Sequence, residues 1–260
     1  MKKMKGRVAV TDNKKPKTGS GRRAGISSKQ LIIGLDYSEP GQAGELVDLL
    51  APLGVSFKVG LELFLAGGPS LVKKLAGESR VFLDLKFHDI PNTVAAAVRS
   101  AASHGVWMLN VHAAGGRKML TAAREAVEGL PHKPLLLAVT VLTSMDDREM
   151  AETGCPGSAA DRVVRLAGLS RDCGLDGVVC SPLEVEPVKK NIKGSFITVT
   201  PGIRGPGEDP GDQSRIASPA QVIRAGGDYL VVGRPVTRAP DPLEAVRNIL
   251  ADMAIDRYGC

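Results

Sequence analysis

Two carboxylates and a lysine fall close together in Val81-Phe82-Leu83-Asp84-Leu85-Lys86-Phe87-His88-Asp89-Ile90-Pro91-Asn92-Thr93. The stretch begins with strand alternation, placing Val81, Leu83 and Leu85 on one face and Phe82, Asp84 and Lys86 on the other. A strand between helices buries both faces, so the charges at Asp84 and Lys86 need partners. Two residues apart on one face, they can serve each other. Asp89 follows at once, and Pro91-Asn92-Thr93 reads as the first turn of a helix, where proline is tolerated. A lysine fixed by acids can donate a proton and stabilise a developing anion. The plainer alternative is a buried structural ion pair, but two carboxylates around one lysine at a strand end favour chemistry.

Other candidates stand at the ends of short apolar runs. Leu31–Asp36 is a first strand ending in a carboxylate, and Val55–Gly60 a second with Lys58 near its end. The Asp84 stretch is the third and Met108–His112 the fourth. Leu135–Val141 is the fifth, running to Thr143-Ser144; Gly177–Cys180 is the sixth. Phe196–Val199, the seventh, leads into Pro201-Gly202-Ile203-Arg204 and a Gly/Pro/Asp-rich loop to Gln213. Tyr229–Arg234 is the eighth. Helical patterns alternate with these runs: Glu45–Leu50, Val94–Ala102, Gly116–Val127, a region interrupted at Gly154–Gly157, Gln221–Ala225 and Pro242–Met253. Eight apolar runs alternating with helices predict an α/β protein, a single-domain (β/α)8 TIM barrel over 29–260. The rival is a doubly wound sheet, which a Gly-x-Gly-x-x-Gly after the first strand would favour, and none is there.

In such a barrel strand C-termini share one mouth, where Asp36, Lys58, Asp84, Lys86, Thr143, Arg204 and Arg234 would converge. Gly233-Arg234 and the loop after the seventh strand fall where barrels bind phosphate, with backbone N–H groups and a fixed cation. Any one of these residues, such as Arg204, could equally be a solvated loop arginine; their joint placement at strand ends argues for a site.

The chain has 260 residues, enough for one large core, and aromatics are only 3%, so that core must be aliphatic. No apolar run is long enough to span a bilayer and no apolar h-region follows the basic N-terminus, so a cytoplasmic, unexported protein is expected. Cys155, Cys173, Cys180 and Cys260 form no Cys-x-x-Cys pair, and His88, His104, His112 and His132 lack ligand spacing; no metal and no disulfide framework is expected. The net charge of +6 is misleading: residues 1–29 hold ten Lys/Arg and one Asp, which leaves the rest at −3. Residues 1–28 read as a basic, disordered extension. Without an aromatic to stack on bases, the extension gives little reason to expect a nucleic-acid partner.

Taken together, residues 31 to about 250 resemble the orotidine 5′-phosphate decarboxylase family. The resemblance rests on Leu35-Asp36, Phe57-Lys58-Val59-Gly60, Asp84 to Thr93, Asn110-Val111-His112-Ala113, Thr140 to Ser144, Pro201-Gly202-Ile203-Arg204, Asp212-Gln213 and Val232-Gly233-Arg234-Pro235. Asp-x-Lys-x-x-Asp alone marks only a superfamily shared with sugar-phosphate lyases; the longer string to Thr93 is more specific. The tail before about Ser28 lies outside the resemblance. Trp107 also departs from it, at a position remote from the mouth where a small or acidic residue would be expected.

The resemblance implies cofactor-free decarboxylation of orotidine 5′-phosphate to uridine 5′-phosphate (UMP) and CO2, the last step of pyrimidine nucleotide synthesis. It implies an array of Lys58, Asp84, Lys86 and Asp89 with Lys86 as proton donor. Asp36 and Thr93 would hold the ribose with Asp89, and Ile90 would lie beside them. Thr143 would meet the pyrimidine, Arg204, Gln213, Gly233 and Arg234 would take the phosphate side, Gln213 reaching toward the base, and Pro201 would also line the substrate site. It also implies a homodimer with shared active sites, Asp89 crossing into the neighbour. The rival enzyme reading is a metal-dependent sugar-phosphate aldolase or decarboxylase on the same barrel. The rival outside enzymes is a non-catalytic nucleotide- or nucleic-acid-binding protein, motivated by the basic tail.

Overall fold

The computed structural model describes residues 27–204 and 215–254. Most of the basic extension, Gln213 and the Gly205–Gly211 loop singled out above, and Cys260 lie outside the described residues.

Eight strands, β1 (Leu31–Leu35), β2 (Ser56–Gly60), β3 (Val81–Phe87), β4 (Met108–His112), β5 (Leu135–Val139), β6 (Gly177–Val179), β7 (Ile197–Thr200) and β8 (Tyr229–Val232), form a closed parallel barrel in sequence order. The ring closes through Leu31–Ile33 of β1 against Leu230–Val232 of β8. Around it run α1 (Pro40–Leu50), α2 (Leu61–Glu78), α3 (Pro91–Ala102), α4 (Gly116–Glu128), α5 (Asp147–Glu152), α6 (Ala159–Asp172), α7 (Val185–Asn191), α8 (Pro219–Arg224), α9 (Arg234–Thr237) and α10 (Pro242–Ala254). The (β/α)8 expectation holds. Strand ends differ by one or two residues, most at β5 and β8, which stop at Val139 and Val232 rather than Val141 and Arg234.

Local sequence sets the helix starts. Pro91 occupies the first turn of α3, as expected, and Pro40 that of α1. Ser218 and Gln221 close a capping box at α8, as Asp146 and Glu149 do at α5. The interruption at 154–157 separates α5 from α6, where Gly154 and Gly157 take φ of 76° and 114°.

Two apolar layers result. Val81 and Leu83 of β3 join the large core between barrel and helices, while Phe82 faces inward with Ile32, Met108, Leu137, Val199 and Val231. Beneath that inner cluster, at the strand N-termini, Trp107 meets Tyr229 edge-on at 5.2 Å and Arg80 lies 3.5 Å over the Trp107 ring. Trp107 is thus at the floor of the barrel, far from the mouth.

Candidate active site

β3 is irregular where its charges begin. Leu83 pairs with Leu109 and Phe87 with Val111, so four steps along β3 match two along β4. Within this bulge Lys86 has φ of 52°, the one positive-φ residue other than glycine among the described residues. Such a conformation costs a lysine ~1–2 kcal/mol. It is held by Asn110 of β4, whose Oδ1 accepts the Lys86 backbone N–H at 2.8 Å. The Asn110 Nδ2 donates to Asp84 Oδ1 at 2.7 Å, and the residue is fully buried.

Asp84 therefore stands at the centre of a compact array. Lys86 Nζ lies 2.9 Å from its Oδ1 and Lys58 Nζ 3.5 Å from its Oδ2; Lys58 in turn reaches Asp36 Oδ1 at 3.4 Å. Burial raises the Asp84 pKa, but the two lysines and the hydrogen bonds from Lys86 and Asn110 outweigh it and hold the carboxyl below its ordinary range. Burial pulls the Lys58 ammonium down, and Asp84 and Asp36 more than reverse this, leaving it raised. Both groups stay charged at neutral pH. His112, at the end of β4, stacks on His88 with ring centroids 5.1 Å apart. Burial, then His88 and Lys86, lowers the His112 pKa.

Asp36, Lys58, Asp84 and Lys86 line a cleft of about 550 Å³ at the barrel mouth. Of the residues expected from sequence, Asp36, Lys58, Asp84, Lys86, Thr143, Pro201, Arg204, Gly233 and Arg234 all border it. Arg204 is 8% exposed, so a solvated loop arginine is not what the structure places there. Gly233 approaches Asp36 so closely that a Cβ would fall 2.6 Å from Asp36 Oδ2, a contact no larger residue could make without displacing the carboxylate.

Asp89, Ile90 and Thr93 do not border the cleft in their own chain. All three are exposed, Ile90 by 67%. Asp89 Oδ1 accepts the N–H of Ile90 at 2.6 Å and makes no ion pair with Lys86. β3 ends at Phe87, and the chain turns outward before α3. Sequence reasoning missed Asn110 as a site residue, although a lone asparagine in the apolar run of β4 was the signal. It also missed Glu62, Ser144 and Arg238, which line the cleft. Among the described residues no group of three or more His, Cys, Asp or Glu side chains is placed to hold a metal ion, and no helix is long and apolar enough to cross a membrane.

The arrangement offers an ammonium fixed beside a buried, ionised carboxylate, and arginines on the β7 and β8 side suited to an anion. Comparison with known proteins agrees with that geometry. Residues 29–249 match the sequence model described as the Orotidine 5′-phosphate decarboxylase / HUMPS family. A Saccharophagus degradans protein named orotidine 5′-phosphate decarboxylase is 53% identical over 230 residues, covering 88% of this chain and 97% of that protein. A namesake from Alkalilimnicola ehrlichii is likewise 53% identical over 230 residues, covering 88% and 98%. The crystal structure of orotidine 5′-phosphate decarboxylase from Lactobacillus acidophilus superposes with a TM-score of 0.77 at 38% identity, covering 86% of this chain and 99% of that one.

Proposed function

Since the chain belongs to the orotidine 5′-phosphate decarboxylase / HUMPS family, we propose how its cleft carries out the decarboxylation of orotidine 5′-phosphate to UMP and CO2 in pyrimidine biosynthesis. The observation that carries the reading is Lys86 held 2.9 Å from Asp84, which also faces Lys58. Breaking the bond from C6 to the carboxylate leaves an electron pair in the plane of the pyrimidine ring, where the π system cannot delocalise it. Stabilisation then comes from a preorganised cation where the charge develops. Lys86 is that cation, and its Nζ proton passes to C6 as the lone pair takes it, leaving a neutral amine that regains a proton from solvent. Asp84 holds and aims the Lys86 ammonium at 2.9 Å; Lys58 in turn helps keep Asp84 ionised.

A general acid contributes ~10²–10⁴-fold, or about 3–5 kcal/mol, against the ~8–23 kcal/mol by which enzymes lower barriers. The rest must come from parts of the substrate that do not react. Arg204, Gly233 and Arg234, with Pro201, take the phosphate, together with Gln213, which the resemblance adds. Asp36 and Lys58 take the ribose, and Thr143 faces the base.

The site is completed in a homodimer, Asp89 and Thr93 of the partner subunit reaching the ribose beside Ile90. Supporting this, Asp89, Ile90 and Thr93 are exposed in the single chain, and Leu61 and Leu65, at the start of α2 beside β3, are 54% and 80% exposed. A cytoplasmic location fits a nucleotide-synthesis enzyme of this kind.

Loss of orotidine 5′-phosphate absorbance, followed with enzyme treated with EDTA, tests the reading. Turnover that survives chelation separates it from a metal-dependent sugar-phosphate lyase. Turnover by a truncation starting at Ser27, which caps the turn before β1, separates it from a binding protein whose function lies in the tail. Absence of turnover in both would overturn the reading.

A further inference from the structure

Beside the Thr143 wall of the cleft lies an ion pair that the reaction does not use. Glu184 ends the turn Pro182–Glu184 after β6 and is 2% exposed. Its Oε1 meets Arg215 Nη1 at 2.7 Å, and its Oε2 accepts the Ser181 backbone N–H at 3.0 Å. The other arm of the guanidinium, Nη2, donates to the Leu142 carbonyl at 3.0 Å. Leu142, Thr143 and Ser144 line the cleft. Two residues beyond Arg215, Ala217 bridges to Ile203, accepts the Arg204 backbone N–H at 3.1 Å and donates to the Gly202 carbonyl at 3.3 Å. One guanidinium therefore joins the loop after β5, the turn after β6 and the segment paired with the exit of β7.

A buried ion pair is a poor device for stability alone, because desolvation offsets most of its attraction and apolar residues of like volume do as well. A planar guanidinium with both arms engaged instead fixes the distance and angle between its partners. We infer that Glu184 and Arg215 are positioning residues: Glu184 orients Arg215, and Arg215 holds the Leu142 carbonyl so that Thr143 meets the base in register with the Gly202–Arg204 wall. The inference rests on the decarboxylase reading, which puts the pyrimidine against Thr143.

Two inhibitors separate the walls, since UMP presents base, ribose and phosphate while ribose 5-phosphate lacks the base. Arg215→Lys keeps a charge opposite Glu184, but a single ammonium cannot span both partners. Glu184→Gln keeps an acceptor for Ser181 and removes the charge. In each variant, assayed where circular dichroism shows a wild-type fold, the UMP inhibition constant should rise about tenfold, as for one lost charge-assisted hydrogen bond. The ribose 5-phosphate constant should stay within about twofold, and the double variant should be no worse than the weaker single, because both break one linkage. Unchanged UMP inhibition in an active variant, or parallel weakening of both inhibitors, would overturn the positioning role alone. A wild-type protein that neither consumes orotidine 5′-phosphate nor binds UMP would instead overturn the decarboxylase reading, and this inference with it.

Discussion

Asn110 grips Lys86 by its backbone, accepting the peptide N–H at 2.8 Å, while its amide group donates to Asp84 at 2.7 Å. One buried side chain thus sets both the unusual backbone turn of Lys86 and the orientation of the carboxylate beside it. Asn110→Ala should lower stability by about 2–3 kcal/mol, as buried polar groups lose partners, and reduce kcat about ten- to a hundredfold. Thermal melts and steady-state rates check this. Unchanged kcat would mean that Lys86 holds its conformation without Asn110.

Lys86→Ala should abolish turnover and leave a folded protein that still binds UMP. Asp84 would keep Lys58 at 3.5 Å and Asn110 at 2.7 Å, so no buried carboxylate is stranded. A residual rate above about a hundredth of wild type would rule out Lys86 as proton donor, because general acids contribute ~10²–10⁴-fold.

The charge array should hold across a wide pH range. The Asp84 pKa is depressed, so its stabilisation is present above the unfolded value near ~4 and lost as pH falls through the lower folded value. The Lys58 pKa is raised, so its contribution is full below about 10.4 and lost as pH climbs through the folded value. kcat should show no ionisation of Asp84 or Lys58 between about pH 5.5 and 9, while the melting midpoint should be level above about pH 7.5 and decline as pH falls through ~6.5, because the lowered pKa of His112 makes it harder to protonate folded than unfolded. An ionisation of Asp84 in the range 5 to 8, read from kcat, would contradict the pairing.

Arg234→Ala should raise KM steeply and also lower kcat. Binding energy from the phosphate end is used to organise the reacting end, so losing it weakens the transition state beyond simple binding. A rise in KM with kcat intact would show that Arg234 holds substrate and transition state equally.

Mixing inactive Lys86→Ala with inactive Asp89→Ala protein, under conditions that exchange subunits, should restore activity. A mixed dimer has one site with both defects and one with neither, and random pairing makes half the dimers mixed. About a quarter of wild-type activity should return. No recovery would place Asp89 in its own subunit's site.

The barrel was legible because eight short apolar runs, broken by charges at their ends, carry both strand position and site position in the same residues. Lys58, Asp84, Arg204 and Arg234 could be placed at the mouth on that basis alone. The bulge in β3 could not: alternation puts Asp84 and Lys86 on one face either way, and nothing in the Asp-Leu-Lys string announces a lysine at φ of 52°. Short helices were equally hidden, since α7 and α9, of seven and four residues, are too brief to show periodicity. Sequence neighbourhood alone sets Asp89 beside Lys86, while the resemblance sends it across to a neighbouring subunit; in its own chain it lies at the surface, where the chain turns outward after Phe87. Arg215 and Glu184 are 31 residues apart, a separation at which no local pattern can signal contact.

The floor formed by Arg80, Trp107 and Tyr229 beneath the inner apolar cluster turns the cleft into a cul-de-sac. Among the described residues nothing opens the barrel below that cluster, so carbon dioxide set free in the cleft departs by the mouth. It shares that opening with departing UMP and with the next substrate.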